Sequence, residues 1–445
     1  MVSAQYTFPR SFLWGSVTSA HQVEGDNRNN TWWRWEEKGR AAPSGRAAEW
    51  WRGRWREDIA RAAEMGQNAL RFSVEWSRIQ PTPDRWDNAA LEHYRAIVRE
   101  MVERGITPFL TLHHFTEPIW FAESGGWLNP EAPALFAKFA AKTAEALKAY
   151  VPLWCTFNEP SHYIFQGYIV GAFPPGQSNA EAAFQAAEGM ARAHAAAYEA
   201  IHREHPEARV GVAFRQRALS AARRLLPTDR LAAKMLGRWL NGYFPTAFAK
   251  GRLLTPWFSR RAPKLANTLD WFGVSYYSPA TAAFLPKAPL WGALKPPHNP
   301  ISEHEEMAHA PEAFRSVLKR ASRHGLPIFV TTNGVEDSAD AIRPRYLAEH
   351  IHQVWRAVNC SEGVQGYFHY SLLDDYEWDK GWERKFGLWA LDRETQARTK
   401  RPSAELYAEI CRNNMIDTET VAQYAPDALN TLLPLTTQRP NDPTT

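Results

Sequence analysis

Eight short apolar runs, each followed by a longer stretch of helical spacing, recur from Phe12 to about Cys411, and this alternation limits the fold more than any other feature. The runs are FLWGSVTSA (12–20), NALRFSVEW (68–76), TPFLTLHHF (107–115), LWCTFNEP (153–160), ARVGVAF (208–214), WFGVSYY (271–277), LPIFVTTNG (326–334) and VQGYFHYSLL (364–373). Between them lie segments such as PEAPALFAKFAAKTAEALKAY (130–150), whose apolar residues recur at three and four, the spacing of one helix face. Eight strands each followed by helix describe an α/β fold, a single closed (β/α)8 TIM barrel. It is assigned residues 1–411, and the polar residues 412–445, ending in TTQRPNDPTT, read as a C-terminal tail with a loose tip. Residues 279–303, rich in Pro, are expected to form a long loop, and Arg215, Arg217, Arg223 and Arg224 are expected on the solvated face of a helix.

Composition narrows the function classes. With 44% hydrophobic and 22% charged residues the chain is globular, and its 445 residues, which could hold about three domains of ~150 residues, are also within reach of one large barrel. The balance of 52 Lys and Arg against 48 Asp and Glu leaves +4, too weak a field to imply nucleic acid or a membrane surface as partner. Cys155, Cys360 and Cys411 are scattered and odd in number, which argues against a disulfide framework and a thiolate metal site. The N-terminal residues lack the pattern of a signal peptide, and no apolar stretch approaches the ~20 residues of a membrane span. A cytoplasmic protein is expected. Of the 20 Trp, those inside apolar runs (Trp14, Trp76, Trp154) are assigned to the core, and Trp378 is the one expected to touch a ligand.

In such a barrel the site forms where the strands end, so polar residues closing the runs are informative. The second run holds Arg71, the third ends in His113 and His114, the fourth in Asn158 and Glu159, and the sixth in Tyr276 and Tyr277; the eighth leads to Asp374, Asp375, Glu377 and Trp378. Carboxylates and amides that take hydroxyls, beside aromatic faces that stack on C–H surfaces, suit the holding and cleaving of a sugar. The expected partner is a small-molecule glycoside or oligosaccharide, with no cofactor and no metal; the sequence sets no oligomeric state. His113 and His114 point to opposite sides of a strand, and His304 and His309 are one residue too far apart for H-E-x-x-H.

From Phe12 to about Tyr407 the chain resembles the β-glycosidases of glycoside hydrolase family 1. The resemblance is carried by F-L-W-G-S-V-T-S-A-H-Q-V-E-G (12–25), R-F-S-V-E-W-S-R-I-Q-P (71–81), T-F-N-E-P (156–160), and S-L-L-D-D-Y-E-W (371–378) followed by K-F-G-L (385–388). It implies Glu159 as general acid/base and Asn158 as the group that binds a 2-hydroxyl. Gln22, His114, Tyr370, Glu377, Trp378 and Phe386 would line the sugar site, and Arg71 and Tyr277 would hold the nucleophilic carboxylate.

That carboxylate belongs to a T-E-N-G motif, which here reads Thr331-Thr332-Asn333-Gly334. A retaining glycosidase needs two carboxyl groups ~5 Å apart, and the neutral Thr332 hydroxyl is no substitute for one. Tyr370 stands where the family has a stacking Trp, Ser275 and Asp375 replace two Asn, and Glu306-Met307 replaces Gly-Trp. Three readings follow: an enzyme with inverting or substrate-assisted chemistry, with Glu336 or Asp375 as a substitute base; a non-catalytic sugar- or partner-binding protein; or a retaining enzyme whose nucleophile was deliberately replaced.

Overall fold

A computed structural model describes residues 4–255, 258–288 and 290–432. Its centre is a closed barrel of parallel strands, β1 (Leu13–Val17), β2 (Ala69–Ser73), β3 (Thr107–His113), β4 (Leu153–Asn158), β5 (Arg209–Arg215), β6 (Trp271–Tyr276), β7 (Ile328–Asn333) and β8 (Val364–His369), with β8 pairing back onto β1. Each lies within one of the apolar runs, except that β5 extends one residue past its run, to Arg215. Around them stand α1 (Trp55–Glu64), α2 (Asn88–Glu103), α3 (Ala132–Leu147), α4 (Ala180–Glu204), α5 (Pro227–Leu240), α6 (Pro311–Ala321), α7 (Arg343–Asn359) and α8 (Pro402–Asn413). Local chemistry sets their starts: Asp87 accepts from the Ala89 and Ala90 N–H groups ahead of α2, and Asn179 does the same for α4.

The barrel interior is closed from below by aromatic rings. Phe109, Trp271, Phe329 and Phe368 are buried and meet edge to face, Phe109 lying 5.0 Å from Trp271 and 5.3 Å from Phe368. Glycines on neighbouring strands make room for this plug: a methyl group on Gly211 would stand 2.4 Å from the Trp271 ring, and one on Gly15 would stand 2.7 Å from Phe368. Trp14, Trp76 and Trp154 are core residues, packed outside the barrel wall. Toward the opposite end the ladders lose register, between Cys155 and Asn158, at Val274/Ser275, and between Val330 and Asn333. Such irregularities re-aim side chains at the strand ends, where Asn158 and Thr332 emerge.

Three segments differ from expectation. Within 279–303, Ala280–Phe284 and Gly292–Lys295 are strands that pair antiparallel, and with Leu219–Ala221 they form a small three-stranded sheet in which Thr281 and Ala282 are buried. Residues 412–432 pack on the barrel: Met415–Asp417 pairs antiparallel with Gln5–Thr7, and Ile416, Val421, Ala425, Ala428 and Leu432 are buried in the core. The rest of the expected tail, 433–445, lies outside the described residues. None of the four arginines expected on a helix is on one: Arg215 closes β5, Arg217 follows it, and Arg223 and Arg224 lie in the turn ahead of α5, where Arg223 forms an ion pair with Asp229 at 2.8 Å. No helix among the described residues is long and apolar enough to cross a membrane, and the three cysteines are free.

The aromatic plug gives a direct test of the barrel. Gly211→Ala forces a methyl group into the Trp271 ring, and overpacking of this kind costs about 1–3 kcal/mol. A lowered urea midpoint with unchanged far-ultraviolet circular dichroism is expected; an unchanged midpoint would show that the plug is not tightly packed.

Candidate active site

A cavity of about 350 Å³ opens at the C-terminal mouth of the barrel. Gln22, His114, Asn158, Glu159, Tyr277, Thr332, Glu336, Tyr370, Glu377, Trp378 and Phe386 all line it, so residues spread over most of the chain meet in one place. Arg71 lies just beneath, wholly buried, and Asp375 sits behind Tyr370, off the cavity wall.

Arg71 sets the pattern of hydrogen bonds. Its Nη2 donates to Asn158 Oδ1 at 2.8 Å, and its Nη1 donates to Thr332 Oγ1 at 3.2 Å and to the Thr331 carbonyl at 3.3 Å. A guanidinium has only donors, so Asn158 must face it with oxygen and present its NH₂ to His114 Nε2, 3.0 Å away. That nitrogen therefore accepts, and the imidazole proton resides on Nδ1, which is buried without a protein partner. Burial, then Arg71, holds the His114 pKa well below the usual imidazole range. The result is a neutral ring whose Nδ1 proton is buried and has no protein partner. Thr332 Oγ1 also accepts from Ser275 Oγ at 3.2 Å, which leaves its own proton free to donate. No carboxylate pairs with Arg71 among the described residues.

Glu159 follows β4 directly and caps the short helix Pro160–Ile164 in a left-handed conformation, φ 44°. A non-glycine residue held there stores about 1–3 kcal/mol of strain, a cost usually met where a side chain must be aimed. Its Oε2 receives Arg215 Nη1 at 3.2 Å, and the Arg215 guanidinium lies 4.8 Å over the Tyr277 ring. Arg217, also on the wall, donates to His162 Nδ1 at 3.2 Å. These two arginines were missed in the sequence, although the rule that selected Asn158 and Glu159, polar residues closing an apolar run, applies equally to R-Q-R after ARVGVAF. Glu336 is ion-paired with Arg384 and accepts from the His304 N–H at 3.2 Å.

At the opposite wall Tyr370 joins two carboxylates. Its hydroxyl accepts from Gln22 Nε2 at 2.7 Å and contacts both Asp375 Oδ1 at 3.0 Å and Glu377 Oε1. One hydroxyl proton serves only one carboxylate, so the other must carry a proton to complete the set. Burial raises both acids, Asp375 well above its usual range and Glu377 to about 7. Trp378 stacks on His114 at 5.8 Å and 21°, and Phe386 packs against Tyr370 at 5.2 Å.

A closed parallel barrel with a cavity at its C-terminal mouth lined by aromatic rings, carboxylates and guanidinium groups defines the class: a TIM-barrel protein with a small-molecule site. Residues 4–416 match the sequence profile of glycosyl hydrolase family 1, and the chain belongs to that family. It is similar to the beta-galactosidase of Sulfolobus acidocaldarius, 32% identical over 93% of this chain and 96% of that one. Beta-glucosidase A of Thermotoga maritima is 29% identical over 92% and 99%. Among solved structures, the beta-glycosidase from Pyrococcus horikoshii superposes with a TM-score of 0.89 at 35% identity, covering 95% of this chain and 98% of that one. The Thermotoga maritima beta-glucosidase in complex with glucoimidazole gives 0.85 at 27% identity, covering 92% and 99%.

The shared proton has a stability consequence. A Glu377 carboxyl near 7 in the folded chain, against ~4.3 when unfolded, contributes stability that is full below about pH 4 and is lost as pH rises through about 7. Glu377→Gln removes this dependence, so the Tm of the variant should gain on that of the parent between pH 5 and pH 8. Parallel curves would contradict the assignment.

Proposed function

We propose that the cavity binds a β-glycoside, that Glu159 is its proton donor, and that Thr332 stands where the family's nucleophilic carboxylate belongs. The observation that carries this reading is Arg71, a fully buried guanidinium that reaches Thr332 Oγ1 at 3.2 Å and has no carboxylate partner among the described residues. Buried charges are ordinarily paired, and a Thr in place of a Glu leaves this kind of uncompensated arginine. The sugar rests against Gln22, His114, Asn158, Tyr370, Glu377, Trp378 and Phe386. Relatives named for glucosides and galactosides support a hexopyranoside.

With no carboxylate at 332, a covalent glycosyl-enzyme intermediate has no acceptor, and for a glycoside that carries no internal nucleophile the reaction that remains is a single displacement. Glu159 protonates the leaving oxygen as the glycosidic C–O bond breaks; water forms the new C–O bond from the opposite face and gives its proton to a base. Glu336 lines the cavity and is the candidate base, whereas Asp375 lies behind Tyr370 and is raised by burial. The product is then the α-anomer. A non-catalytic binding role is the second reading, favoured by the Arg215 guanidinium 3.2 Å from Glu159, which neutralises the group meant to supply a proton.

Proton NMR of the first sugar released from 4-nitrophenyl β-D-glucoside and β-D-galactoside tests the reading. The α-anomer is expected, with release abolished in Glu336→Gln; initial β-anomer would refute single displacement. Thr332→Glu should pair with Arg71, raise hydrolysis at least ~100-fold and release the β-anomer. If the parent protein turns nothing over while Glu159→Gln still binds the sugar, the binding role is correct.

A further inference from the structure

Strand β5 ends at Arg215, and Gln216 and Arg217 follow it, all three lining the cavity. Arg215 is engaged with Glu159. Arg217 is only 7% exposed, its Nη2 donates to His162 Nδ1 at 3.2 Å, and its Nη1 is buried with no hydrogen-bond partner. Among the described residues no carboxylate lies within ion-pairing distance of it. His162 supplies no counter-charge, since burial and the two arginines keep it neutral. The other cations on the wall are matched: Arg384 with Glu336 and Glu306, and Lys380 with Asp379. Arg217 therefore faces the cavity as a buried cation with one nitrogen and one charge unsatisfied.

Its depth says which part of a ligand it would meet. Arg71 and Thr332 are at the cavity floor, within strands, and Asn158 is the last residue of β4. Glu159 is the next residue outward. Arg217 lies two residues past the end of β5 and bonds to the short helix that follows Glu159, so it is farther from the floor than the proton donor. A sugar seated on the floor directs its leaving group past Glu159 toward Arg217.

We propose that Arg217, with Arg215, forms an oxyanion subsite on the aglycone side of Glu159, and that the β-glycoside this cavity takes carries a carboxylate, sulfate or phosphate on its leaving group. The inference rests on the β-glycoside reading above. A guanidinium pair meets such a group through charge-assisted, often bidentate, hydrogen bonds. An anion bound there also competes with Glu159 for Arg215.

Calorimetric titration of the full chain with uncleavable probes tests this. The probes are the 4-carboxyphenyl 1-thio-β-D-glucoside and galactoside and their neutral 4-carbamoylphenyl counterparts. At least ~10-fold tighter binding of the carboxylate is expected, in line with a charge-assisted hydrogen bond in a buried site. In Arg217→Gln the preference should fall toward one, and Arg217→Lys should keep part of it. Equal binding of the two probes by the parent protein, or a preference that survives Arg217→Gln, overturns the subsite while leaving the β-glycoside reading intact. Binding of neither probe overturns both. The 4-sulfophenyl and 4-phosphonophenyl analogues rank the oxyanions. If Arg217→Gln does not fold, the parent's preference and its partial retention in Arg217→Lys still decide.

Discussion

A single buried guanidinium governs the polarity of the groups around it. Arg71 stands 6.0 Å from the Phe109 ring of the aromatic plug, and its Nη atoms reach Thr332 and Asn158 on the cavity wall. Below it the barrel is closed by rings that need glycines opposite them; above it every polar group must answer to a donor that cannot accept. Asn158, His114 and Thr332 take their orientations from that asymmetry, and the hydrogen-bond direction runs outward from the guanidinium to a free imidazole N–H. The wall is thus set before any ligand arrives, which lowers the ordering cost of binding.

The second polar centre, at Tyr370, follows different physics. Here a phenol hydroxyl, that of Tyr370, reaches between Asp375 and Glu377. One ring thus knits two acids together through one shared proton. Phe386 and Tyr277 fill the space around it, at 5.2 and 6.0 Å. On the Arg71 side, the Ser275 hydroxyl donates to Thr332 Oγ1 at 3.2 Å.

Much of this was legible in the sequence. All eight barrel strands coincide with the apolar runs, because a strand buried on both faces leaves little room for polar residues. Asn158 and Glu159 stood out because they ended such a run. Arg215 and Arg217 did not, because a basic stretch followed by a helical pattern was assigned to the helix, although β5 extends through Arg215. The strands at Ala280–Phe284 and Gly292–Lys295 were hidden by Pro residues flanking them. Asp375 looked available as a base, and only the tertiary structure puts Tyr370 in front of it.

Ala4 exchanges hydrogen bonds with Thr418, Phe8 with Asn414, and the Asn414 side chain reaches Trp14 Nε1 at 2.9 Å. The segments 4–8 and 414–418 therefore lie side by side, and the backbone between them is nearly a ring. Sequence order around the barrel is in that sense arbitrary: the same wall could be written starting from another surface loop, with the clasp becoming an ordinary connection.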